Sequence, residues 1–178
     1  GIRAVAPSRG LGDVYKRQLT KGATDWTNST GSKGLASIVM VYEANVTLRN
    51  LTITGAETID MTSPSGESSG KDYGHGLNAV KSTVTLENVT LSDNAACGIV
   101  ANSSTLTLKN VQTAGNGWAG VNADSAADAE AATVVNVDAD TRFGEAVQIY
   151  SDKTVNVSVM GDGYTSKEEN GKTVWTKA

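Results

Sequence analysis

Residues 76–97, GLNAVKSTVTLENVTLSDNAAC, are followed by residues 98–119, GIVANSSTLTLKNVQTAGNGWA, and the two stretches align without a gap. Gly76-Leu77, Gly98-Ile99 and Gly120-Val121 lie 22 residues apart, as do Ala79, Ala101 and Ala123. Val84 and Leu106, Leu86 and Leu108, Asn88 and Asn110, and Val89 and Val111 keep the same interval. Inside each copy apolar and polar residues alternate, as in Val84-Thr85-Leu86 and Leu106-Thr107-Leu108. That is the period of a strand, with side chains going alternately to two faces, and it excludes an amphipathic helix.

A period near 22 built from short strands predicts stacked coils of a β-solenoid. Asn88 and Asn110 interrupt the alternation, each just before an inward Val, where the chain must bend sharply. Asn is the non-glycine residue that best tolerates the left-handed backbone such a bend needs. Stacked one rung apart, Asn amides can also satisfy one another. These features resemble the right-handed parallel β-helix of the pectate-lyase-like superfamily, with its Asn ladder at a tight turn. The fold expected is therefore all-β, a right-handed parallel β-helix of about five coils.

Extending the register upstream at an offset of 38 sets Val39, Val46, Leu48, Asn50 and Leu51 on Leu77, Val84, Leu86, Asn88 and Val89. The 16 extra residues must leave between Ala56 and Asp72, and residues 57–71, with Pro64, Gly66, Gly70 and several Ser, read as an exposed loop insertion. Downstream, an offset of 26 sets Val134, Asn136, Val137, Val147 and Ile149 on Leu108, Asn110, Val111, Val121 and Ala123, with extra residues in the run 126–131. The expected ladder then has four members, Asn50, Asn88, Asn110 and Asn136. The expected organisation is a tail over 1–18, a β-helix over 19–160 and a C-terminal cap or tail over 161–178.

The tail is expected to be an artefact or disordered, because Gly10 to Gln18 resembles translated sequencing adapter joined to the ends of many unrelated bacterial proteins. It holds four of the 15 basic and one of the 19 acidic residues, leaving a body with 11 against 18, or −7. An acidic surface disfavours nucleic acid and anionic lipid. No apolar run is long enough to span a membrane, so no membrane insertion is expected of these residues. No signal peptide is legible, and the adapter reading would mean that the first coils are missing, so that this is no guide to location. Cys97, the only cysteine, gives no disulfide framework, and its spacing from Ile99 predicts a buried, inward position.

Function is sparsely written. Gly74-His75-Gly76 resembles the motif of pectin-hydrolysing members of the superfamily, but those also carry paired Asp residues on neighbouring coils and an Arg-x-Lys, which are missing here. If the chain is an enzyme, Asp60, Asp72 and His75 are the candidate catalytic residues, acting as a polysaccharide lyase or glycoside hydrolase on acidic polysaccharide such as pectin. Calcium would enter with the lyase reading, which needs clustered carboxylates; otherwise no cofactor or metal is expected. Trp118, predicted to point outward, is the candidate ligand-binding residue, able to stack on a sugar ring. Arg49, Glu87 and Lys109 fall in register as an outward column of alternating charge, expected to pair across strands. The C-terminal pattern from Gly163-Tyr164 to Trp175 resembles the closing segment of repetitive bacterial surface proteins. The resemblance therefore implies a fragment of a secreted or cell-surface bacterial protein, adhesin-like, with a structural, adhesive or carbohydrate-binding role and a carbohydrate or host-surface ligand.

Overall fold

The structure is a computed structural model and describes residues 17–19, 36–63, 65–125, 132–152 and 157–177. These residues are all-β: they form strands joined by turns and contain no helix. The first sheet runs β1 (Arg17–Leu19), β3 (Asn45–Thr54), β7 (Thr83–Ser92), β9 (Thr105–Lys109), β12 (Thr133–Val137) and β15 (Val157–Met160). Two short strands extend it, β10 (Gln112–Ala114) on β7 and β13 (Arg142–Phe143) on β10. The second sheet runs β2 (Val39–Tyr42), β6 (Leu77–Val80), β8 (Cys97–Asn102), β11 (Ala119–Asp124), β14 (Ile149–Ser151), β17 (Lys172–Lys177) and β16 (Tyr164–Glu169). A separate pair joins β4 (Ile59–Thr62) to β5 (Ser68–Asp72).

Up to β15 in the first sheet and β14 in the second, strands of the two large sheets pair in parallel with strands 22 to 38 residues along the chain. Leu48 meets Leu86 and Leu86 meets Leu108, while Val39 meets Leu77, Leu77 meets Ile99 and Ile99 meets Val121. Their inward faces enclose one core of Val, Leu, Ile and Ala. The bend at Asn88 works through phase. Val84 and Leu86 point inward before it and Val89 and Leu91 after it, all essentially inaccessible. An odd step of three between Leu86 and Val89 would put one pair outside in a regular strand. Asn88 at φ +56 absorbs the step, as do Asn50 (φ +55) and Asn110 (φ +50). Their amides are linked, Asn88 Nδ2 donating to Asn50 Oδ1 at 3.1 Å and Asn110 Nδ2 to Asn88 Oδ1 at 2.8 Å.

Two further columns close the other bends, and these are buried. Asn94 Oδ1 accepts the Ala56 N–H, Asn94 Nδ2 donates to Asn116 Oδ1 at 2.8 Å, and Asn116 Nδ2 donates to Glu145 Oε1 at 2.6 Å and to the Leu91 carbonyl at 3.0 Å. At the opposite bend the Ala44 N–H donates to Ser82 Oγ, the Ser82 N–H to Ser104 Oγ and the Ser104 N–H to Thr133 Oγ1. Each side chain supplies an acceptor to a backbone donor that leaves the sheet at the bend and would otherwise lie buried without a partner. Beside the Asn column Gly98 has no room for a side chain: a Cβ there would stand 2.9 Å from the Gly120 carbonyl oxygen.

Several expectations are corrected. The assignment to the right-handed parallel β-helix of the pectate-lyase-like superfamily fails, because the sheets are mixed. β17 runs antiparallel to β14 and β16 antiparallel to β17, and the circuits depart from a uniform 22 residues after β11. Val134 pairs with Thr105 and Val137 with Leu108, an offset of 29 where 26 was expected. Ile149 pairs with Val121 rather than Ala123. The extra residues over 126–131 lie outside those described. Asn136 consequently stays within a straight strand and leaves the ladder, its Nδ2 donating to the Leu106 carbonyl. Asp138 takes the bend, with Oδ2 accepting the Asn110 N–H and Oδ1 the Thr141 N–H and hydroxyl.

Within the insertion over 57–71 the chain forms an exposed antiparallel hairpin, with Ile59 opposite Asp72 and Asp60 opposite Lys71. Its turn is closed by the Gly66 N–H donating to the Ser63 carbonyl, with Gly66 at φ +89. Cys97 is buried as expected but lies outside the main core, in a second cluster with Val100, Ala119 and Tyr150. Of the tail over 1–18, residues 1–16 lie outside those described, and Arg17 and Gln18 pair with Leu51 and Thr52. The outward charge column pairs as read: Glu87 bridges Arg49 and, at 3.1 Å, Lys109.

Candidate functional site

Two aromatic residues, Tyr73 and Trp118, stand exposed at the bends that lead into β6 and β11 of the second sheet. Trp118 sits one residue before β11, held by its N–H donating to the Ala96 carbonyl, while the Ala96 N–H donates to the Gly74 carbonyl one rung further on. Only a glycine and an alanine occupy the column beyond Trp118, which leaves space for its ring to meet Tyr73. The two ring centroids are 4.8 Å apart at 52°, and His75 approaches the indole edge-on at 6.1 Å. Such tilted aromatic pairs hold one another in place. Both rings nevertheless remain open to solvent, Trp118 at 47% and Tyr73 at 44%.

On its other side Trp118 borders a cleft of about 650 Å³. The outer face of the sheet contributes Val147, Tyr150 and Asp152, and the β16–β17 hairpin contributes Glu169, Asn170, Lys172, Val174 and Thr176. Tyr150 follows the inward Ile149 and therefore points outward, yet the hairpin covers it. Lys172 Nζ lies 4.4 Å above the Tyr150 ring and 3.1 Å from Asp152 Oδ1. Burial pushes the Tyr150 hydroxyl above its ordinary range and the Cys97 thiol up to about 12, so neither ionises near neutral pH. Cys97 is an inert packing group here. The cleft thus combines one exposed aromatic face, an apolar floor and a few convergent polar groups, the composition of a small-molecule site.

The remaining candidates are engaged. Asp60, on the hairpin, pairs with Lys71 at 3.2 Å and is largely exposed. Asp72 Oδ2 accepts the Ala36 N–H at 2.8 Å. His75 Nδ1 accepts the Cys97 N–H at 3.1 Å, which fixes the proton of the neutral ring on Nε2. Burial lowers the His75 pKa to about 4, only partly opposed by Asp72. The imidazole is therefore a neutral bend residue, with its one basic nitrogen committed to the backbone. Among the described residues no group of three or more His, Cys, Asp or Glu is placed to hold a metal ion.

Sequence reading singled out Trp118 but not Tyr150, Asp152, Glu169 or Lys172. For Tyr150 a signal existed, since an aromatic residue outward of Ile149 calls for a cover. The hairpin residues had none, because their place depends on β17 turning back against β14. Comparison of the chain with protein-family models, with curated proteins and with solved structures finds no match in any of the three.

Proposed function

We propose that this chain is a non-catalytic, carbohydrate-binding scaffold from a secreted or cell-surface protein. The observation that carries this reading is the exposed Trp118 ring, braced by Tyr73 at the rim of the cleft formed with the β16–β17 hairpin. An exposed aromatic ring at the rim of a cleft offers a face on which a ligand ring can stack. A flat apolar ring beside planar polar groups matches a pyranose, which offers an apolar face and a polar edge. The circuits whose strands pair at 38 and 22 residues supply a rigid backing, with three side-chain columns fixing their bends. Binding here asks only for position, whereas catalysis would ask Asp60, Asp72 and His75 to converge, and each is held by a different partner.

The test is binding of immobilised oligosaccharides to the wild type and to Trp118→Ala, with thermal melts of both. Saccharide binding that is lost in the variant while the melting temperature is kept supports the reading. Binding that survives the substitution places the ligand elsewhere, and that result refutes it.

A further inference from the structure

The cleft's charges discriminate among saccharides. Its described lining contains two carboxylates, Asp152 and Glu169, and one cation, Lys172. That cation is engaged twice, by Asp152 at 3.1 Å and by the Tyr150 ring at 4.4 Å. Glu169 is itself paired with Lys167 at 3.3 Å, two residues earlier on β16. Resting on the carbohydrate reading, we propose that the cleft takes neutral pyranose oligosaccharides and rejects uronates.

A uronate carboxylate stacked on Trp118 would need a cation to offset its lost hydration. Lys172 already shares its charge with Asp152 at 3.1 Å, so a uronate carboxylate drawn to it would stand beside Asp152 on the same cation. The attraction gained is thus offset by the repulsion between two carboxylates that share one cation. A neutral sugar meets none of this. Its hydroxyls can donate to Asp152 and Glu169 and accept from Lys172 and the Asn170 amide without disturbing either ion pair. The excess of acidic over basic residues in the whole chain, a net charge of −4, works in the same direction at longer range.

The experiment compares neutral hexose, N-acetylhexosamine and galacturonate oligosaccharides of equal length by calorimetric titration, on the wild type, Trp118→Ala and Asp152→Asn. We expect a neutral oligosaccharide to bind and galacturonate to bind at least about tenfold more weakly, a difference of one decade in Kd. In Asp152→Asn, which frees Lys172, galacturonate affinity should rise, and the rise should shrink with added salt. Asp152 is exposed at the cleft mouth, so this variant is expected to keep the wild-type melting temperature. Galacturonate binding as tight as neutral sugar on the wild type, or unchanged galacturonate affinity in Asp152→Asn, overturns the selectivity and leaves the carbohydrate reading standing. Absence of binding by every oligosaccharide overturns that reading, and the selectivity with it.

Discussion

Two asparagines at different bends of the same circuits should differ sharply in what their removal costs. Asn116 is 7% exposed and Asn94 beside it 2%. Truncating Asn116 to Ala removes the acceptor for the Asn94 amide at 2.8 Å and for the Asn94 N–H at 3.2 Å, and the donor to the Leu91 carbonyl at 3.0 Å and to Glu145 at 2.6 Å. A buried polar group left without a partner costs about 1–3 kcal/mol, more if charged. Glu145 keeps the Thr113 hydroxyl, while the Asn94 N–H, the Asn94 amide and the Leu91 carbonyl each lose a partner. The expected loss is about 3–5 kcal/mol. Asn88 also makes two amide bonds, but it is exposed and water replaces them. There Ala loses mainly the residue that suits φ +56, for about 1–2 kcal/mol. Urea denaturation of Asn116→Ala and Asn88→Ala, read at unchanged m value, checks the difference. If Asn116→Ala costs less than Asn88→Ala, the claim that the buried column holds the bends is wrong.

Leu108→Ala, at a position 1% exposed between two stacked circuits, should cost about 2–5 kcal/mol in the same assay; a loss under half a kcal/mol would mean the core is not packed as described. Because burial lowers the His75 pKa from its ordinary 6.5 to about 4, the unfolded chain takes up a proton first as pH falls. Stability is therefore full above about pH 6.5, declines toward pH 4 by up to about 3 kcal/mol and levels off below. His75→Gln should flatten that stretch of a stability–pH curve, and an unchanged curve refutes the assignment. Incubation with polygalacturonate, with and without calcium, should release neither unsaturated product nor reducing ends; turnover abolished by His75→Ala or Asp72→Ala would establish an enzyme instead.

Much of the strand pairing was legible because the chain writes it locally. Alternation in Val84-Thr85-Leu86 states which side chains share a face, and an Asn before an inward Val marks a bend whose left-handed backbone few residues tolerate. The interval of 22 between copies then names the partners, Val84 with Leu106 and Leu77 with Ile99. Beyond Asp124 that logic lapses. Thr133-Val-Val-Asn-Val137 has Val on both faces, so its pattern permits either phase, and the structure buries Thr133, Val135 and Val137. Asp138, an acid with no counterpart in the earlier circuits, takes the bend that Asn136 was expected to make.

The buried Asn94–Asn116 column was present in the sequence at the same interval of 22, yet an Asn in a loop gives no sign of being inaccessible. Burial there depends on the neighbouring bend and on Glu145 arriving from a later circuit. The cleft was decided only by tertiary structure. Trp118 announced itself as an outward aromatic residue, but a floor and a far wall require β17 to pair antiparallel with β14 and carry Lys172 over Tyr150. A local pattern fixes the face on which a side chain stands. What stands opposite it depends on contacts between residues far apart in the chain, and no periodicity records those.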